Sequence, residues 1–378
     1  MNELIEPLLS FPVDNRPAVS VSLVSRFGPI GKNAIGTSPK PSPLWLLLLL
    51  FCLCAILTNT AYADRLQWVR DLPLPGQPAR FDYETLDPAN GRLYINHMGA
   101  NRVLVYDVRS QRLLADLPGI PRPTGITLAA QSGLAFVSAT GSRFGFLMNR
   151  GHVLAIRLSD LTVVARLPAD GFPDGSAWAP PQRRLFVSNE RGGVETVIGV
   201  DPMRVIKTLA LNGEAGNSAY DPIDKLVWVN VQSTGELVAI EPQALNIVRR
   251  IKLPPSCVHN HGLLIDDAKR LAFVACDGNA RLLTLALPGM QTIGMDAVGK
   301  EPDVLALDTR RQLLYIAAES GIVSVFSVAA GKPERLWRGW VGPDAHSVAV
   351  DPESGLSYFP LDNVRGHPLL RVMRLATP

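Results

Sequence analysis

Residues 346–359, HSVAVDPESGLSYF, read as two short strands joined by a tight turn: alternating small and apolar residues, an Asp-Pro turn, a Gly, then a second apolar run. The same pattern recurs six more times. It is DYETLDPANGRLYI from Asp82, TGITLAAQSGLAFV from Thr124, DGSAWAPPQRRLFV from Asp174 and GNSAYDPIDKLVWV from Gly216. It returns as HGLLIDDAKRLAFV from His261 and DVLALDTRRQLLYI from Asp303. Successive starts lie 42, 50, 42, 45, 42 and 43 residues apart. A period of roughly 40–50 residues built only of strands and turns is the mark of a β-propeller blade. Seven copies predict seven blades, each a four-stranded antiparallel sheet, in an all-β fold.

The seventh repeat stops at Pro378 one strand short, while LQWVRDL from Leu66 has no partner in the first repeat. Using this N-terminal segment as the outer strand of the last blade closes the ring and removes an open sheet edge. The propeller is therefore expected over residues 64–378.

Residues 1–63 read as a separate extension and signal peptide. Positions 44–57 form an uncharged apolar run behind Arg26, Lys32 and Lys40, followed by Ala61-Tyr62-Ala63. Fourteen residues fall short of the ~20 needed to span a bilayer, so cleavage near Asp64 and a periplasmic or secreted location are expected. Membrane contact would then come only through an uncleaved leader. A formal net charge of +3, with basic residues interrupted by acidic ones, argues against nucleic acid as a partner. A monomer is expected.

The leucine- and valine-rich segments LFVSNERGG from Leu185, LYINHMGANRVLVYD from Leu93 and HGLLID from His261 resemble the YVTN-repeat (YncE-like) family of bacterial secreted propellers. The resemblance covers about 66–378 and implies an extracytoplasmic seven-bladed propeller with a binding role. Blade two departs from it at residues 140–151, where a longer loop stands.

In an up-and-down blade, the start of the innermost strand A and the loop between strands B and C share one face, the upper one. Sevenfold repetition therefore gathers Asp82, Thr124, Asp174, Gly216, His261, Asp303 and His346 at the upper mouth of the channel. Carboxylates and imidazoles converging there make Asp82, Asp174, His261, Asp303 and His346 candidate ligands for a divalent metal. Otherwise like charges must be balanced by a cation or by protonation, or the ring merely lines a wet channel. His97, Asn189, Glu190 and Glu319 are expected in the upper loops, with Arg143 in the blade-two insertion as part of a lid or contact surface.

Once the leader is removed, Cys257 and Cys276 are the only cysteines. An even pair in an oxidising compartment reads as a disulfide, while Cys257-Val258-His259-Asn260-His261 also allows a Cys/His metal site. No catalytic signature motif stands out. The sequence thus favours a ligand- or protein-binding or scaffold module working through the upper face, taking an unknown small molecule or protein. The alternative is a metal-dependent hydrolase or lyase of the lactonase kind, with Glu190 or Glu319 as base.

Overall fold

A computed structural model of the protein describes residues 65–141 and 151–376. The expected leader over residues 1–63 and the insertion carrying Arg143 lie outside the described residues. The described chain forms seven sheets of four antiparallel strands, and the innermost strand of each packs on those of the next blades around a closed ring. Blade three shows the common plan, with strands Pro173–Ala179, Arg184–Asn189, Val194–Val200 and Met203–Ala210 running outward from the axis. Among the described residues no helix is long and apolar enough to cross a membrane.

The repeat's residues explain the plan. Strand A of five blades ends in an Asp, and that carboxylate caps the lower turn. Asp221 accepts from the Ile223 N–H at 2.9 Å, Asp266 from Lys269 at 3.0 Å, and Asp308 from Arg311 at 2.9 Å. Strands B and C carry alternating Val, Ile, Leu and Phe whose two faces both meet neighbouring blades, so these strands are buried throughout. Between blades three and four, for example, Phe186 and Val197 pack on Val227, Val229 and Val238. Outer strands are mostly exposed or half-buried and mix charged with apolar side chains.

The last blade is closed as expected. Arg65–Pro73 pairs antiparallel with His367–Ala376, from Arg65 opposite Ala376 to Pro73 opposite Leu369, with one irregularity at Trp68/Arg70. Arg371 fixes the seam by donating to both carboxylate oxygens of Asp71, at 2.8 and 2.7 Å.

Cys257 and Cys276 are joined in a disulfide with Cα atoms 5.1 Å apart. The thiolates of the alternative Cys/His metal site are thereby used up. The bridge spans 19 positions and ties the segment leading into strand A of blade five to the end of its strand B. Loop-closure entropy assigns it about 3 kcal/mol. Cys257→Ala with Cys276→Ala is expected to lower the melting temperature by several degrees, read by calorimetry, while far-UV dichroism keeps its sheet signature.

Candidate functional site: the upper mouth of the channel

The repeated opening residues sit in β-bulges. In blades two to six the pairing of strands A and B skips two residues against one: Thr124-Gly125 opposite Ser138, Asp174-Gly175 opposite Ser188, Gly216-Asn217 opposite Asn230. His261-Gly262 opposite Ala275 and Asp303-Val304 opposite Ala317 repeat it. A bulge bends the strand and re-aims a side chain. Here it brings Asp174, His261 and Asp303 to the mouth and lets the second residue of the pair approach the next blade. A Cβ on Gly125 would lie 2.0 Å from the Asp174 carbonyl oxygen, and one on Gly262 would lie 2.2 Å from that of Asp303. Glycine at these positions permits the close contact of inner strands.

A cavity of about 680 Å³ opens at this end of the channel. Asp82, Asp174, His261 and Asp303, four of the five ring residues proposed as ligands, line it together with Glu190 and Glu319. His346 lies behind the wall, 1% exposed, with Nδ1 3.0 Å from the Asp344 carbonyl oxygen and 3.2 Å from its carboxylate. Thr124 does not reach the cavity. Its hydroxyl donates to the Pro173 carbonyl at 2.7 Å and so stitches blade two to blade three.

Two expected mouth residues are core residues instead. The His97 ring stacks on Phe81 with centroids 4.0 Å apart, and burial drives its pKa down to about 4. The Asn189 amide donates to the Val187 and Val194 carbonyls and to Thr196 Oγ1, and its oxygen accepts from the Asp170 N–H. Both end strand B, where the side chain turns between the blades. The next residue, Met98 or Glu190, lines the mouth in its place.

The floor of the mouth is made by a residue that the repeat comparison missed. Tyr83 projects from blade one across the channel. Its hydroxyl donates to Asp303 Oδ1 at 2.9 Å, accepts from Asn217 Nδ2 at 2.5 Å and lies 3.3 Å from His261 Nε2. Blades one, four, five and six thus meet at one oxygen. Tyr83 and Asp303 line both the mouth and a second cavity of about 290 Å³ beneath it, so Tyr83 divides the channel in two. The signal was in the repeats: the position after the opening residue is Gly125, Gly175 or Gly262 in three blades, and only blade one places a large side chain there.

The charges are balanced from within. His261 Nε2 lies 3.3 Å from Asp303 and 3.7 Å from Asp174, and Nδ1 is 2.9 Å from Gln232 Oε1. Burial works against the charge on His261, but the bond and charge of Asp303, backed by Asp174 and Glu190, outweigh it and raise the imidazole pKa. Asp303 is correspondingly lowered, despite its burial, by the His261 bond and charge. His346 is raised to about 9, with Asp344 and Asp303 overcoming burial. Asp82 and Asp174 move the other way, because burial dominates and pushes both carboxyls up. At the rim Arg80 pairs with Glu319 at 2.8 Å and Asp344 at 3.8 Å, and His259 pairs with Asp277 at 3.0 Å and Glu214 at 3.6 Å. Among the described residues no three His, Cys, Asp or Glu side chains converge as metal ligands do.

A second buried carboxyl gives a clean pH test away from the mouth. Glu195, between blades three and four, accepts from Ser188 Oγ at 3.1 Å, and burial outweighs the lowering effect of Ser188 and Ser218 and raises its pKa to about 8. A raised carboxyl stabilises the fold fully below its unfolded value of about 4.3 and loses that contribution as pH climbs through the folded value. Glu195→Gln has no proton to lose. The variant is expected to match the parent near pH 4 and to exceed it by roughly 1–3 kcal/mol near pH 8, in melting curves taken across that range.

Fold and site define a seven-bladed β-propeller with a charged, floored cavity at one channel mouth. No family model matches the chain, and no curated protein matches it. Among solved structures it is similar to Kuenenia stuttgartiensis hydrazine synthase, at 12% identity and a TM-score of 0.66 over 80% of this chain and 97% of that one. It is also similar to the WD40 repeats of RRP9, at 10% identity and 0.66 over 82% and 100%. Virginiamycin B lyase from Staphylococcus aureus matches at 11% and 0.66 over 82% and 99%. At such identities the likeness is one of fold, and unrelated functions share this fold.

Proposed function

We propose that the protein is a binding or scaffold propeller of the YVTN-repeat kind, secreted or periplasmic, that takes a small molecule or a protein segment into its upper mouth. The observation that carries this reading is the 680 Å³ cavity with a closed floor and buried charged walls, a volume in the range of small-molecule sites. The disulfide supports an oxidising compartment. Glu190→Trp, which fills the mouth, should abolish the stabilisation given by any library compound or peptide that raises the parent's melting temperature. Asp224→Trp on the lower face should leave it intact. Ligands that stabilise both variants equally would overturn the assignment to the mouth.

A metal-dependent hydrolase or lyase is the second reading, and Glu190 favours it. This carboxyl lines the cavity and is raised above the usual carboxylate range by burial, as suits a general acid or base. Glu319 is a poorer candidate because Arg80 holds it. A resident cation binds the folded chain and raises its melting temperature. On this second reading divalent metals would do so in the parent and not in His261→Ala with His346→Ala; a parent indifferent to both chelator and metal removes it.

A further inference from the structure

We propose that the mouth recognises an organic cation, a ligand whose protonated amine or guanidinium docks on the carboxyls of Asp174 and Asp82. This deepens the reading of the mouth as a binding site and rests on it.

Unspent acceptors on the cavity wall carry the inference. Asp174 is 5% exposed, lines the cavity and accepts no hydrogen bond from the described residues. Its nearest cationic nitrogen, His261 Nε2 at 3.7 Å, lies closer to Asp303 at 3.3 Å. Asp82 is 6% exposed and, among the described residues, accepts only from the adjacent Tyr83 N–H, at 3.1 Å. A buried carboxyl oxygen without a donor is costly, and a head group that only donates is its complement. The neighbouring cations are already engaged. Arg80 holds Glu319 and Asp344, His261 holds Asp303, and His259 holds Asp277 and Glu214. Arg122 donates to Thr140 Oγ1 at 3.3 Å, and Arg191 lies 5.4 Å over the Phe172 ring.

The same wall discriminates among ligands. An anion would meet Asp82, Asp174 and Asp303 below and Glu190, Asp277 and Glu301 above. A divalent metal needs several oxygens on one small sphere, whereas no three acidic or imidazole groups among the described residues converge in that way. An ammonium or guanidinium spreads its N–H donors over a larger volume and tolerates carboxyls that diverge. Met98, Phe172 and Pro302 offer the carbon skeleton an apolar wall.

Binding should also displace protons. Asp174 faces Asp82, His261, Glu190 and Asp303, while Asp82 faces His346, Arg80 and Asp303. Burial raises both carboxyls, so an arriving cation favours their ionised forms and affinity should increase with pH.

The test is calorimetric titration of the full-length protein with hexylammonium, hexanoate, 1-hexanol and calcium chloride at pH 6 and pH 8. Hexylammonium alone should bind, more tightly at pH 8, with heats that vary with the buffer's ionisation enthalpy as protons are released. Asp174→Asn should weaken it by roughly tenfold or more, the loss expected for a charge-assisted bond, without lowering the melting temperature. Asp224→Asn on the lower face should bind as the parent does. Equal binding of hexanol or hexanoate, or an unaffected Asp174→Asn, overturns the organic cation while the mouth stays a binding site. Calcium binding without hexylammonium binding overturns it in favour of a metal. Loss of all mouth-dependent binding, library ligands included, overturns both readings together.

Discussion

A chain lacking residues 66–74 is expected to aggregate, or to melt roughly 10 °C or more below the parent. The deletion removes the outer strand of blade seven and bares the edge of His367–Ala376, which would otherwise pair from Leu369 to Leu375. Leu66 is 6% exposed and packs beside Met373 and Leu375, while Leu74, 5% exposed, packs with Phe81 and Leu370. Burying a leucine is worth about 1.5–3 kcal/mol, so these two alone account for roughly 3–6 kcal/mol. A domain of this size loses roughly 2–4 °C per kcal/mol. Arg371 would lose its bond to Asp71, and one open edge strand suffices to recruit another chain. Light scattering with a thermal melt decides it. A monomer with the parent's melting temperature would mean that the ring does not depend on this strand.

The fold was legible because a propeller repeats its instructions. Seven turn-punctuated hairpins at nearly constant spacing give blade number, strand order and the missing outer strand without any side-chain geometry. Half of the mouth was legible for the same reason: Asp82, Asp174, His261 and Asp303 share a register, and symmetry carries them to one cavity. What a register cannot supply is the direction of each side chain. His97 and Asn189 sit one residue before the mouth, and a strand's alternation sends them between blades. Tyr83 escaped notice because it breaks the repeat, and repeat comparison rewards what recurs. The partners Arg80 and Asp344 escaped because they lie between the repeated segments, in connections whose path depends on the assembled ring. Within the ring itself, Asp303 and Asp174 raise the His261 pKa against its burial, while burial pushes the carboxyls of Asp82 and Asp174 up.

Gly262→Ala is expected to damage fold and site together. The new methyl would lie 2.2 Å from the Asp303 carbonyl oxygen and 2.6 Å from Leu305 Cδ1. The oxygen belongs to the inner strand of blade six, so no rotamer change relieves the clash and the two inner strands must separate. Overpacking costs about 1–3 kcal/mol in a yielding core and more against backbone. The expected fall in melting temperature is therefore roughly 5–10 °C. Separation also draws Asp303 away from His261 Nε2, now 3.3 Å off, and from the Tyr83 hydroxyl at 2.9 Å. With that partner withdrawn, burial regains control of His261 and its pKa should drop, which proton NMR of the ring would follow directly. Gly294→Ala is the matched control in the outer strand of the same blade, where the nearest atom to a new Cβ is Thr284 Cβ at an ordinary 3.5 Å. It should melt within a degree or two of the parent and leave the His261 titration unchanged. If both substitutions behave alike, close approach of the inner strands is not what holds His261 and Asp303 together, and the bulged glycine owes its place to something other than the site.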